Sequence, residues 1–233
     1  MNGYNLANEI GLAGSRPALL IDLDWYYGAT APYLGIDSKY GLSDVLSHNS
    51  HIDAELVRST AVAYSDAIHV MLSPVSTSLS RAGFIRWRQL IPVLKVCRAA
   101  YPCTIIDAPR VPAHLATAIA GISQAVLIVF QLAVKDIHIV RSIRAAMVER
   151  GVPAERIIPV VSRYTRRSQI TLEEARTVLD GSRLMVLSND YATAIKSVNY
   201  GKPLAQTAPS TALRREIRQL AVELGSDKQG GRP

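Results

Sequence analysis

Apolar positions in this chain follow two spacings that alternate along its length. Short segments rich in aliphatic residues at 19–24, 68–72, 104–109, 125–130, 157–161 and 183–187 predict strands of a mostly parallel sheet, buried on both faces. Between them, apolar residues recur every three or four positions and predict helices. The first covers residues 1–13, with Leu6, Ile10 and Ala13 beside Asn5, Asn8 and Glu9, and ends at Gly14 and Pro17. Others follow at Ser43 with Leu46, and from an Asp53 cap to residue 61. A long helix is predicted over 80–100, with Phe84, Trp87, Leu90, Ile91 and Leu94 on one side. The pattern continues at 113–120, after Asp136 with Ile139, Ile143 and Met147, from the Thr171/Glu174 capping box to 179, at 191–199, and from Ser210 onward. This alternation predicts a three-layer α/β domain over residues 1–224, a mostly parallel sheet with helices on both faces. The polar, Gly-rich stretch 225–233 is predicted to be disordered.

Two of the predicted strands end in acids. Leu19-Leu20-Ile21 runs into Asp22-Leu23-Asp24, and Thr104-Ile105-Ile106 into Asp107. Carboxyl ends of strands are where open α/β sheets bind ligands, and oxygen donors there suit a hydrated divalent cation. A single such acid more often caps its loop; a matched pair favours a site.

At 233 residues the chain has length enough for one large domain. Its net charge of +7 suits an anionic partner without choosing among nucleotide, nucleic acid and acidic membrane. Cys97 and Cys103 form no CxxC array, which predicts a reducing cytoplasm and no structural metal. Residues 111–134 carry no charge, yet Pro112, His114, Thr117, Gly121, Ser123, Gln124 and Gln131 interrupt them, so helix, turn and strand are predicted in place of a membrane span. The five histidines match no metal-ligand spacing. Arg163, Arg166 and Arg167 form the densest basic cluster and read as a solvated loop. In the last helix Leu213, Ile217, Leu220 and Leu224 share one side, away from Arg214, Arg215 and Arg218; packing on the sheet is preferred over a membrane-surface role.

Four segments then carry a family resemblance: LLIDLDWYYGA at 19–29, TIIDAPR at 104–110, VVSRYTRR at 160–167 and LSNDYATAIKSVNYGKPL at 187–204. Through them the chain resembles the ParA/MinD group of deviant-Walker ATPases, in their CpaE/TadZ pilus-assembly branch. The resemblance implies ATP and Mg²⁺ as cofactors. It implies that Asp24 orients the attacking water and that Asp22 and Asp107 hold the metal's water shell. Ser162 and Arg163, with Asn189 and Asp190, would border the adenine; a serine hydroxyl replaces the amide expected at 162 and weakens base recognition. A homodimer, partners in pilus or secretion machinery at the inner membrane, and a cytoplasmic or peripheral location are implied as well. DNA partitioning is the less favoured alternative, and a non-catalytic scaffold another.

One departure limits this. The sequence contains no GxxxxGK[ST] loop, and Gly201-Lys202 is followed by Pro203. The backbone amides of such a loop neutralise phosphates, so tight ATP binding and useful hydrolysis are not expected of these residues. The intact opening helix favours a fragment over a natural pseudo-ATPase. The resemblance also predicts a vacant strand position between the Asp107 strand and the 125–130 strand, leaving them about 10 Å apart in place of the roughly 4.8 Å of neighbours.

Overall fold

A computed structural model describes residues 3–24, 28, 30–47, 51–73 and 86–226. Its strands are β1 (Ala18–Asp22), β2 (Val62–Ala63), β3 (Ile68–Met71), β4 (Cys103–Asp107), β5 (Val126–Phe130), β6 (Ile157–Tyr164) and β7 (Met185–Ser188). The helices are α1 (Gly3–Leu12), α2 (Thr30–Leu34), α3 (Leu42–Ser47), α4 (Ala54–Thr60), α5 (Leu90–Ala100), α6 (Ala113–Ile122), α7 (Val134–Glu149), α8 (Leu172–Val178), α9 (Tyr191–Asn199), α10 (Leu204–Thr207) and α11 (Ala212–Ser226).

The strands form two ladders instead of one sheet. The first runs β2-β3-β1-β4 and the second β5-β6-β7. Every pairing is parallel except β2 with β3, a two-residue antiparallel edge that the sequence pattern is too short to announce. β4 ends one ladder and β5 the other, and they do not pair, as the expected vacancy requires.

β1 lies at the centre of its ladder with all five residues buried. Leu19 and Ile21 face a core with Leu42, Leu46, Leu90 and Leu94, while Leu20 faces one with α1, α11 and Leu204. Each such side chain contributes about 1.5–3 kcal/mol on burial. The 24-residue uncharged stretch resolves into α6 and β5, and no helix among the described residues is long and apolar enough to cross a membrane.

Two expectations change. The predicted helix over 80–100 is described only from a 3₁₀ turn at Trp87–Gln89 into α5. Pro92 explains this start, because a proline fits the first turn of a helix and breaks one that continues past it; Phe84 lies outside the described residues. On α7 the inward residues are Ile137, Val140 and Met147, and Ile139 and Ile143 are exposed. The polar side of α1 is not a solvent face: Asn5, Asn8 and Glu9 are buried. Tyr4 Oη and Ser197 Oγ share a 2.6 Å hydrogen bond, the Leu204 N–H donates to Asn5 Oδ1 at 2.8 Å, and Arg214 Nε donates to Glu9 Oε1 at 2.8 Å. The apolar stripe of α11 closes the same core, with Ile217 and Leu220 buried and Leu213 and Leu224 packed against them. The 225–233 tail lies mostly outside the described residues.

Gly11 of α1 faces the Ala67 carbonyl so closely that a Cβ would stand 2.1 Å from its oxygen. Gly11→Ala is therefore expected to lower stability by about 1–3 kcal/mol. Urea unfolding checks this, with a lower midpoint at an unchanged m-value as the expected result.

Candidate functional site at the ends of β1 and β4

The site begins with register. β1 and β4 pair in parallel from Ala18↔Cys103 to Asp22↔Asp107, so the two acids end adjacent strands side by side. The Leu23 N–H continues the ladder by donating to the Asp107 carbonyl at 2.8 Å. Asp24 then turns inward and, like Asp22, is 3% exposed. Its own N–H donates to Asp22 Oδ1 at 2.8 Å, and the Thr30 N–H, at the start of α2, donates to Asp22 Oδ2 at 3.1 Å. Asp22 thereby ties both ends of the β1–α2 loop. Residues 25–27 of that loop, including Trp25, are outside the described residues.

Asp107 meets the beginning of α1. The Gly3 N–H hydrogen bonds to the Asp107 carboxylate, and a Cβ on Gly3 would stand 2.8 Å from Asp107 Oδ2. A helix start is a favourable place for a carboxylate, because its free N–H groups carry partial positive charge. Burial nevertheless dominates and raises the Asp107 pKa above the ordinary carboxyl range; the nearby charges of Asp22 and then Asp24 add to it, against the Gly3 hydrogen bond.

Asp24 has a partner that sequence reading leaves without a role. Arg110, in the loop after β4, grips it in a fork: Nε donates to Oδ1 at 3.2 Å and a terminal NH₂ group donates to Oδ2. The Arg110 side chain is 49% exposed and the Asp24 side chain 5%. A two-pronged guanidinium fixes the plane of a carboxylate as well as its charge. The signal was present in TIIDAPR, where a cation follows the strand acid three residues on, but the sequence does not reveal that its target is Asp24.

The acids fit one kind of metal contact and not another. Asp22 and Asp107 have oxygens engaged by backbone N–H groups, Asp24 is held by Arg110, and among the described residues no group of three or more His, Cys, Asp or Glu side chains is placed to hold a metal ion directly. Their remaining lone pairs suit contact through the waters of a hydrated Mg²⁺, which dehydrates reluctantly.

The other predicted residues lie on the second ladder. Ser162, in β6, donates its hydroxyl to the Phe130 carbonyl at 3.1 Å. Arg163 follows with φ 53° and an exposed side chain. The Asn189 N–H donates to the Tyr164 carbonyl at 2.9 Å, bringing the ends of β6 and β7 together. Asp190 caps α9 by accepting from the Thr193 N–H at 3.1 Å. The structure thus gathers Asp22, Asp24 and Asp107 at one point and Ser162, Arg163, Asn189 and Asp190 at another.

Comparison with known proteins bears on the fold that carries both groups. No family model and no curated protein sequence matches the chain. Solved structures do. A ParA family ATPase from Chlorobium tepidum TLS superposes with a TM-score of 0.84 at 18% identity, over 94% of this chain and 91% of that one. The septum site-determining protein MinD complexed with Mg-ADP, from Pyrococcus horikoshii OT3, gives 0.80 at 20% identity, over 98% and 90%. The cell division ATPase MinD of Pyrococcus furiosus gives 0.79 at 21% identity, over 96% and 91%. The fold is that of ParA and MinD. Within this ParA/MinD fold, identities of this size speak for architecture alone.

The raised pKa of Asp107 makes a stability prediction. Its folded-state value lies above the unfolded one, so between the two the folded chain holds a proton that the unfolded chain has lost, and stability falls as pH rises through that window. Above the folded value the full penalty remains. Asp107→Asn, measured in EDTA without nucleotide, should therefore raise the Tm at neutral pH. The gain should fade in acid, below the unfolded pKa; a lower Tm at neutral pH would contradict the assignment.

Proposed function

We propose that the chain is a ParA/MinD-type nucleotide-switch protein whose nucleotide edge is the crevice at the ends of β1 and β4. The observation that carries this is the convergence of Asp22, Asp24 and Asp107 at the ends of adjacent strands, with Arg110 fixing Asp24. Phosphoryl transfer asks a protein mainly for positioning and charge neutralisation. In this reading Asp22 and Asp107 hold the water shell of Mg²⁺, Asp24 orients the attacking water, and Arg110 positions Asp24. Ser162, Arg163, Asn189 and Asp190 border the base. The Ser162 hydroxyl is already engaged with Phe130, so it reads adenine weakly. The 233 residues include no phosphate-binding loop, so ATP binds them loosely and hydrolysis is impaired.

The biological role we propose is that of the CpaE/TadZ proteins: localising and assembling a type IV (Flp/Tad) pilus or secretion apparatus, as a homodimer working at the inner membrane from the cytoplasmic side. RYTRR at 163–167 and NYGKPL at 199–204 support this branch over DNA partitioning. The competing reading is a scaffold with the same partner surfaces and no nucleotide control.

Hydrogen exchange separates the readings. Millimolar Mg²⁺-ATP, on the order of the weakest affinities usually measured, should slow exchange at residues 20–24 and 103–110, and a combined Asp22→Asn, Asp107→Asn variant should lose that response. Absence of any response favours the scaffold. A deletion strain should lose surface pili, and plasmid loss with normal pili would favour partitioning instead.

A further inference from the structure

The carboxyl end of the second ladder carries a basic turn. β6 and β7 pair Val161 with Val186 and Tyr164 with Ser188, so Ser162 and Arg163 stand opposite Leu187 alone. An extra residue of this kind bends a strand and re-aims the side chain beside it. Arg163 takes up the bulge with φ 53°, a left-handed conformation that favours glycine, and its side chain is exposed. The chain thus keeps a guanidinium where a residue without a Cβ fits the backbone better.

Just beyond it, the Ser168 N–H and hydroxyl both donate to the Thr165 carbonyl, at 3.1 and 2.9 Å. They close a turn with Arg166 and Arg167 at its two central positions, both exposed. The acids of α8 and the cap of α9 are engaged elsewhere: Glu173 with Arg176, Glu174 with Thr171, and Asp190 with the Thr193 N–H. Among the described residues none of Arg163, Arg166 and Arg167 takes part in an ion pair. Other arginines differ, since Arg141 meets Asp180, Arg183 meets Glu223 and Arg214 meets Glu9. The Asn189 N–H on the Tyr164 carbonyl brings the start of α9 to the same end, where Tyr191 is 66% exposed.

We propose that Arg163, Arg166, Arg167 and Tyr191 form a docking surface for an acidic segment of a partner polypeptide. A guanidinium offers a planar fork that matches a carboxylate. Three of them, set on one bulge and one closed turn, are in place before a partner arrives, which lowers the ordering cost of binding. Arginine and tyrosine are also residues on which protein interfaces concentrate their affinity. A nucleic-acid strand fits this end less well. It asks for cations continued along its backbone, and on α11 Arg214 is engaged by Glu9 and Arg215 by the Ser210 carbonyl. The nucleotide reading places Arg163 beside the base, but docking of an acidic segment needs no nucleotide, so either can fail alone.

The test is fluorescence anisotropy on the full chain, in EDTA without nucleotide, with a labelled synthetic peptide of alternating aspartate and glutamate interrupted by leucines. Its asparagine and glutamine counterpart and a single-stranded oligothymidylate of equal charge are the comparisons. Expected is saturable binding of the acidic peptide, weakened by salt and tighter than that of the oligothymidylate. The neutral peptide should not bind. A combined Arg166→Gln, Arg167→Gln variant should weaken binding about tenfold and Tyr191→Ala about threefold, at an unchanged Tm because these side chains are exposed. Absence of binding, binding that either variant leaves unchanged, or oligothymidylate held as tightly as the peptide overturns the proposal. So does a peptide-free dimer that the arginine variant dissociates, since the occupant would then be a second copy.

Discussion

The parallel register between β1 and β4 is the constraint on which the candidate site depends. Leu20 opposite Ile105 and Ile21 opposite Ile106 fix that register, because a slip by one residue would turn each strand's side chains to the wrong core. The same register sets Asp22 opposite Asp107. Two buried acids side by side, with a third two residues away, are unfavourable unless donors reach them. The chain supplies those donors from backbone that must be there anyway: the N–H of Asp24, of Thr30 and of Gly3. Among the described residues the cation Arg110 goes to Asp24, and Asp107 is left with burial outweighing its hydrogen bond. The uneven treatment separates the three acids chemically although their residue type is the same.

Helix α1 performs a second task that its composition conceals. It packs on β1, on β4 and on α11, and its polar residues turn toward the C-terminal third of the chain. Ser197, Leu204 and Arg214 are all anchored to it, so the Asn-Tyr-Gly-Lys-Pro-Leu stretch is held by residues nearly two hundred positions away. The bonds to Ser197 and Leu204 are buried and that to Arg214 part-buried, and leaving one partner unpaired costs more than the bond itself contributes. The polar core thus ties α9, α10 and α11 to the helix whose first residue, Gly3, meets Asp107.

Much of this was legible in the residues, and the failures have identifiable causes. The long aliphatic runs gave their strands because burial on both faces leaves no polar alternation to confuse them; the Thr171/Glu174 box forms as its spacing requires, with Glu174 accepting from Thr171. The strand acids converge because register follows from apolar pattern. Within the helix expected over 80–100 the described α-helix starts at Leu90, because Pro92 outweighs periodicity there, and β2 escapes the pattern because two residues carry no period. Arg110 was invisible as a partner since its contact with Asp24 spans 86 positions. A sequence cannot say whether a helix's polar side meets water or another polar surface, and in α1 it meets the second. Ile139 and Ile143 show the converse, apolar residues left outside by a helix whose inward face is offset from them.

β4 joins the two features of the molecule that have no other connection. Its carboxyl end carries Asp107, and its outer edge faces the gap before β5. Burial already disfavours the Asp107 charge, and the Gly3 amide at the start of α1 is the donor set against it. The end of β4 is therefore where the β1 register, the start of α1 and the break between the two ladders meet.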